Sequence, residues 1–82
     1  MQKSFFINFE NGKHLTFYVN NHAGYFYGEL AITNIDKNIS NNQEIKIGDA
    51  FGFKDDTFEG FIEKIKSFIK KNFDLKFEIV EK

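Results

Sequence analysis

The sequence predicts an α+β fold, in which an antiparallel meander sheet of four to five strands carries one amphipathic helix on one face, in the order βββ(β)αβ. Three observations predict this class. Apolar and polar residues alternate through most of residues 4–33, which is the period of half-buried strands. Apolar residues then recur every three or four positions between residues 58 and 69, as on one face of a helix. A last alternating segment follows at residues 75–80.

Length and composition limit the class of protein. The chain has 82 residues, no Cys, 18% aromatic residues and a formal net charge of −1. We therefore expect one small domain spanning residues 1–82, and its stability must come from packing because disulfides and thiolate metal sites are excluded. No apolar run approaches the roughly 18 residues of a membrane span, and the first residues lack the apolar core of a secretory signal. We expect a cytoplasmic, intracellular protein that does not associate with membranes.

The first two strands are predicted at Ser4–Glu10 and Lys13–Asn20. A two-residue turn between them would place the two apolar rows on opposite faces, which a half-buried sheet disfavours. A three-residue loop with Gly12 in the left-handed conformation instead pairs Phe5 with Phe17. We expect this second arrangement.

The third strand is predicted at Tyr25–Thr33. A two-residue or a four-residue loop before it keeps the apolar rows together, and the residues do not decide between the two. Tyr18 lies opposite Tyr25 in one register and opposite Tyr27 in the other. Both registers bring these tyrosines onto one face.

The second half of the chain alternates loops with regular elements. Residues 34–44 are predicted to form a polar loop, Ile45–Ile47 a short edge strand and Gly48–Phe53 a glycine-punctuated connector. Asp56 followed by Glu59 resembles a capping box at the start of the helix.

The end of the helix and the closing strand are also predicted. Asn72 is expected to end the helix in the left-handed conformation. The last strand is expected at Leu75–Val80.

The sheet face that the helix leaves uncovered is the candidate functional surface. It is predicted to carry Phe6, Tyr18, Tyr25 and Tyr27, with Glu29 beside them. The polar loop that contains Asp36 could form a rim. Exposed aromatic clusters mark protein interfaces, where Tyr is enriched. Two structural explanations compete with this one: the sheet curls into a half-barrel, or residues 34–53 fold across the face.

Catalytic, metal and nucleic-acid sites have little support in the sequence. Cys is absent, the carboxylates at Asp55 and Asp56 are explained by the start of a helix, and His14 and His22 fall near opposite ends of one strand. We predict no enzyme, no catalytic residue, no cofactor and no metal ligand. All eleven basic side chains are Lys, which argues against nucleic acid because Arg is preferred for phosphate contacts.

We expect a small protein-binding module whose partner is a host protein or a second copy of the chain. The excess of Lys, Asn, Ile and Phe indicates A/T-rich coding, which is common among products of phages and mobile elements. Many such proteins inhibit a host enzyme such as a defence nuclease, and this is the sharper hypothesis. The alternatives are a self-associating structural or accessory protein, which includes a homodimer, and a binder of single-stranded nucleic acid.

Overall fold

The computed structural model describes residues 2–33 and 44–82. The elements of this part of the chain are β1 (Gln2–Phe9), β2 (His14–His22), β3 (Tyr25–Ala31), β4 (Ala50–Asp55), α1 (Phe58–Asn72) and β5 (Phe77–Glu81). The strands form one sheet in the order β4-β3-β2-β1-β5, with every neighbouring pair antiparallel. The predicted α+β meander with one helix is confirmed, and α1 connects the two edge strands.

The β1–β2 hairpin has the predicted register. Phe5 pairs with Phe17, and their rings stack with centroids 5.0 Å apart. Gly12 has a φ of 87°, a left-handed conformation that glycine adopts without steric cost. Its N–H donates to the carbonyl of Phe9 at 3.0 Å. The length of the β1–β2 loop is therefore the one that keeps the apolar rows of both strands on one face of the sheet.

The β2–β3 hairpin turns later than predicted. β2 continues to His22, which pairs with Tyr25, so the turn consists of Ala23 and Gly24. Both turn residues have positive φ values, 54° for Ala23 and 85° for Gly24, as a type I′ turn requires. Residue preferences do not indicate this turn, because alanine rarely adopts a positive φ.

The predicted pairing of Tyr18 with Tyr25 or Tyr27 is therefore wrong. Tyr18 pairs with Glu29. The observed register differs from both predicted ones by an even number of residues, so the apolar rows still share a face. The tyrosines accordingly remain on the face where they were predicted.

The edge strand before the helix is β4, not the predicted strand at Ile45–Ile47, and it occupies most of the predicted connector. Its side chains alternate between half-buried phenylalanines and exposed positions, which is the period of a strand. The chain enters β4 through Asp49, whose carbonyl accepts from the N–H of Ile32 at 2.8 Å. Ile45 is buried in the core although it lies outside any strand, which explains its apolar character.

The helix begins one residue later than predicted. Thr57, rather than Asp56, is the N-cap, and its hydroxyl accepts from the N–H of Gly60 at 2.9 Å. The strand before the helix extends through Asp55, so the first helical turn starts further along the chain.

Asn72 does not end the helix in the left-handed conformation. It is the last helical residue, is buried, and its side-chain amide donates to the carbonyl of Phe68 at 2.8 Å. The chain leaves the helix in an extended conformation at Phe73. The following strand, β5, starts at Phe77, two residues later than predicted.

The core lies between the sheet and α1. The helix buries Phe61, Ile65 and Ile69 completely, as the spacing of its apolar residues predicts. Its nearest strands are β4 and β3, and Phe51 of β4 contacts Phe68 with ring centroids 4.9 Å apart. The remaining buried apolar residues of the core cluster are Phe5, Ile7, Phe9, Leu15, Phe17, Val19, Leu30, Ile32, Ile45 and Phe73.

Candidate functional site

The sheet face opposite the helix is called the open face here. Its side chains come from alternate positions of all five strands. Their register follows from the strand pairings, in which Thr16 stands opposite both Phe6 and Ala31. Residues of the open face are Gln2, Ser4, Phe6, Asn8, His14, Thr16, Tyr18, Asn20, His22, Tyr25, Tyr27, Glu29, Ala31, Ala50, Gly52, Lys54, Glu78, Val80 and Lys82.

The four predicted aromatic residues form one diagonal row across the open face. Tyr18 on β2 lies one residue pair diagonally from Phe6 on β1, and Tyr27 on β3 continues the same diagonal. Diagonal neighbours in a sheet are about 7–8 Å apart, which is within reach of aromatic rings. Tyr25 extends the row along β3, where its ring centroid is 5.6 Å from that of Tyr27.

Lysine side chains lie over both ends of the aromatic row. The Nζ atom of Lys54 is 4.5 Å from the ring centroid of Tyr25, and that of Lys82 is 4.8 Å from the ring centroid of Phe6. His14 contacts the edge of Phe6, with ring centroids 5.1 Å apart. Cation–π contacts at exposed sites are worth about 0.5–1 kcal/mol each, so they favour fixed ring positions at the two ends.

The rings of the row keep part of their surface open to solvent. Phe6, Tyr18 and Tyr25 are half-buried, and Tyr27 is 38% exposed. A curled sheet that buried all four rings is therefore not what the structure shows. The other competing explanation folds residues 34–53 across this face. Of these, residues 44–49 lead into β4, and Ile45 packs into the core instead.

Charge on the open face is mixed. Glu29 is exposed and pairs with Tyr18 on one side and Gly52 on the other. Lys54 lies on the edge strand β4 and Lys82 directly follows the opposite edge strand, β5, so the two are about the width of the sheet apart. Cation positions therefore do not line one continuous groove.

The structure brings together five of the six residues predicted for the site. Phe6, Tyr18, Tyr25, Tyr27 and Glu29 all lie on the open face. The sixth, Asp36, lies in the predicted polar loop, of which residues 34–43 fall outside the described residues.

Sequence reasoning missed the two lysines that cover the row. Lys54 could have been found from the alternation of Phe51 and Phe53, which places the next residue on the opposite face. Lys82 follows the last predicted strand, and its N–H still donates to the carbonyl of Ser4 at 3.0 Å.

In residues 2–33 and 44–82, no group of three or more His, Cys, Asp or Glu side chains is placed to hold a metal ion. His14 and His22 lie at the two ends of β2. Among the described helices, none has the length and apolar character needed to cross a membrane.

Comparisons with protein-family models, with curated proteins and with solved structures found no match to this chain. The chemistry of the open face therefore carries the functional proposal.

Proposed function

We propose that this chain is a protein-binding module and that the open face is its contact surface. The observation that carries the proposal is the row of Phe6, Tyr18, Tyr27 and Tyr25 on a face that no element of the described residues covers. An antiparallel sheet that faces water on one side normally carries polar residues there. Clustered exposed aromatic residues instead mark sites of association.

The side-chain chemistry of the open face suits recognition of a protein. Its non-aromatic positions include Ser4, Asn8, Asn20 and Gly52. Tyrosine combined with Ser, Asn and Gly is also the composition of antibody paratopes. There, rigid tyrosine rings supply contact area at low entropic cost and the small polar residues adapt their hydrogen bonds. Strands fix the backbone under these side chains, so little ordering remains to oppose binding.

The charges on the open face favour a protein over single-stranded nucleic acid. Nucleic-acid platforms combine stacking rings with a positive groove that follows the phosphates. Here Glu29 pairs with the central ring, Tyr18, and would repel a phosphate chain. The chain also has no Arg, the residue best suited to bidentate phosphate contacts.

The sharper hypothesis concerns the identity of the partner. A phage or mobile-element inhibitor that blocks a host enzyme, such as a defence nuclease, is suggested only by the A/T-rich coding bias. The inhibitor hypothesis stays a prediction. It concerns the same surface, because an inhibitor would contact its target enzyme through these side chains.

The test compares two variants as baits in a lysate of the host. In one, Tyr18→Ala and Tyr27→Ala are combined. In the other, Ile47→Ala removes a side chain that is 64% exposed in the loop before β4. The wild type and the Ile47 variant should retain the same stoichiometric protein, and the double tyrosine variant should lose it. With that protein purified, titration calorimetry should show at least about a tenfold weaker affinity for the double variant, as expected when interface tyrosines are removed.

Two results would contradict the proposal. One is a partner that binds the double tyrosine variant as tightly as the wild type while both remain folded by circular dichroism. The other is tight binding of a fluorescent single-stranded oligonucleotide that weakens steeply with added salt, which is the behaviour of a nucleic-acid binder.

A further inference from the structure

A groove separates the helix from the edge strand β5. Because α1 lies nearest to β4 and β3, the β5 side of the sheet is less covered. The resulting groove has a volume of about 1100 Å³. Ile62 of the helix, Leu75 before β5 and Ile79 within it contribute apolar surface. The charged lining is mixed and consists of Lys66, Lys70, Lys76, Glu10, Asp74 and Glu78.

The outer backbone of β5 is available for pairing. The N–H of Lys82 donates to Ser4, and the carbonyl of Lys76 accepts from Glu10. Antiparallel pairing alternates along a strand, so the even-numbered residues of β5 direct their backbone groups to β1. Backbone groups of Ile79 and Glu81 therefore point away from the sheet, and in the described residues no element pairs with them.

The two edges of the sheet differ in their protection. At β4, the ammonium group of Lys64 donates to the outward carbonyl of Lys54, and a charged side chain on an edge discourages pairing with another chain. At β5, Val80 is 41% exposed on the open face. An exposed apolar residue on an edge strand is a typical contact for another strand.

We propose that β5 pairs with β5 of a second copy of this chain, antiparallel and about a two-fold axis at Val80. In this register Val80 meets Val80 of the second copy in a close, non-hydrogen-bonded pair. Glu78 then faces Lys82 of the second copy, and two-fold symmetry repeats this pair. The outward backbone groups of Ile79 bond to those of Glu81 of the second copy.

Charge complementarity selects this register. A two-fold axis at Glu78 would place two Glu78 carboxylates opposite each other, and an axis at Ile79 would place Lys76 opposite Lys82. Like charges directly opposite in a sheet are destabilising. The axis at Val80 avoids both conflicts.

The groove lies beside the paired strands and does not itself select the partner. On the helix side of the joined sheet, Glu81 of the second copy stands beside Ile79, at the mouth of a groove whose charged lining is Lys66, Lys70 and Lys76 with Glu10, Asp74 and Glu78. The charge match that favours a second copy is therefore the repeated Glu78–Lys82 pair on the open face. An extended peptide from a different protein would have no such built-in match, which is why a second copy is the occupant that we infer.

The joined sheet would also extend the open face. Val80 pairs with Phe6 within each copy, so the dimer places the two Phe6 rings on either side of the Val80 pair. A continuous two-fold face would then present both aromatic rows to a partner.

A charge-swap experiment tests the register. Sedimentation and light scattering should show a wild-type dimer that dissociates on dilution. Glu78→Lys and Lys82→Glu each turn two attractive pairs into repulsive ones, so each should weaken the dimer by about tenfold or more. The double variant Glu78→Lys/Lys82→Glu should restore it. Lys46→Glu, at an exposed loop position near the opposite edge, is the control and should leave the dimer unchanged.

Hydrogen exchange on the wild type supplies a test that needs no variant. Raising the protein concentration should slow exchange of the outward amides of Ile79 and Glu81. The outward amides of Gly52 and Lys54 on β4 should keep their exchange rates.

Three outcomes would overturn the proposal. The first is a wild type that stays monomeric up to about 1 mM, a range that covers weak specific association. The second is a dimer that both single variants form with wild-type affinity. The third is a loss of dimer affinity in the single variants that the double variant does not restore. A monomer that binds an unrelated extended peptide along β5 would assign the edge to a foreign strand instead. A monomeric wild type leaves the expectation for Tyr18 and Tyr27 unchanged, because those side chains lie on β2 and β3.

Discussion

Gly28 lies where β2 and β3 approach too closely for a side chain. A Cβ atom at this position would overlap the carbonyl oxygen of Tyr18 and would lie 3.0 Å from the Cα atom of Val19. Both neighbouring atoms belong to the backbone, which can shift only by distorting the strand pairing. We expect Gly28→Ala to lower the free energy of unfolding by about 1–3 kcal/mol, as overpacking does, measured by urea denaturation.

Gly52 provides the matched control for Gly28. It lies in the neighbouring edge strand, and no heavy atom comes within 4 Å of a Cβ built there. Gly52→Ala should change the free energy of unfolding by less than about 0.5 kcal/mol. Equal effects of the two substitutions would show that glycine flexibility, rather than close approach of the backbones, governs both positions.

Asp55 connects the end of β4 to the start of α1. Its carboxylate accepts from the N–H of Thr57 at 3.0 Å and from the Thr57 hydroxyl at 3.2 Å, and the Nζ atom of Lys64 lies 3.3 Å away. The backbone hydrogen bond from Thr57 lowers the pKa of Asp55 below its ordinary value of 3.8, and Lys64 acts in the same direction. The ionised carboxylate therefore stabilises the folded state.

This lowered pKa predicts a pH dependence. Because the folded pKa lies below the unfolded one, the contribution of Asp55 is fully present above about pH 4 and is lost as the pH falls through the folded pKa. Asp55→Asn should be less stable than the wild type at pH 7, and its stability should fall less between pH 4 and pH 2, measured by chemical denaturation across that range. Asp56→Asn removes an exposed charge one residue along, and it should retain the wild-type slope. A wild-type slope in Asp55→Asn would contradict the assignment.

Single residues also explain where sequence reasoning failed locally. Thr57 caps the helix although Asp56 precedes Glu59 in a capping-box pattern, because contacts of Asp55 hold the chain extended for one more residue. Ala23 adopts a positive φ of 54°, which residue preferences disfavour and tertiary pairing imposes. Such positions depend on contacts that a single sequence does not state.

The helix is the element that the sequence predicted best. Its apolar positions repeat at helical spacing, and Ile65 is fully buried at the centre of that stripe. We expect Ile65→Ala to cost about 2–5 kcal/mol, because the surrounding side chains cannot fully close the cavity. The measurement is the urea midpoint and slope of the purified variant.

Ser67 supplies the control for the helix prediction. It is exposed on the opposite side of α1, so Ser67→Ala should change stability by less than about 0.5 kcal/mol. A small effect of Ile65→Ala beside a normal transition would mean that the helix does not pack on the sheet as described.

Strands were predicted as well as their side-chain alternation allowed. The β1–β2 register follows from Phe5 and Phe17, because the three-residue loop places both on the buried face and the two-residue loop does not. β4 was missed because Gly52 and the glycine at position 48 suggested a connector, although Phe51 and Phe53 alternate as in a strand. Glycine weakens a strand pattern without excluding an edge strand.

At the scale of the whole molecule, the candidate site was predictable because face assignment survives errors of register. Shifting β2 against β3 by two residues changes the neighbour of Tyr18 but not its face. Lys54 was missed with β4, and Asp36 lies outside the described residues. The identity of the partner was not predictable, because the side chains of a surface indicate the chemistry of a partner but do not identify the partner protein.

Self-association through β5 has a consequence for the stability of the whole molecule. A dimer of folded chains shifts the unfolding equilibrium by mass action, so the thermal midpoint of the wild type should rise by a few degrees for each tenfold increase in protein concentration, measured by circular dichroism. Glu78→Lys should shift this dependence to protein concentrations about tenfold or more higher, in line with its weaker dimer, while the Tyr18/Tyr27 double alanine variant should keep the wild-type dependence because its changes lie on β2 and β3. If instead the Tyr18/Tyr27 double alanine variant lost the concentration dependence and Glu78→Lys kept it, self-association would lie on the aromatic row. The chains would then dissociate when the rings are removed and not when the charge pairs of β5 are broken. The open face would in that case be occupied by a second copy, and its proposed partner would have to compete with that copy for the same tyrosines.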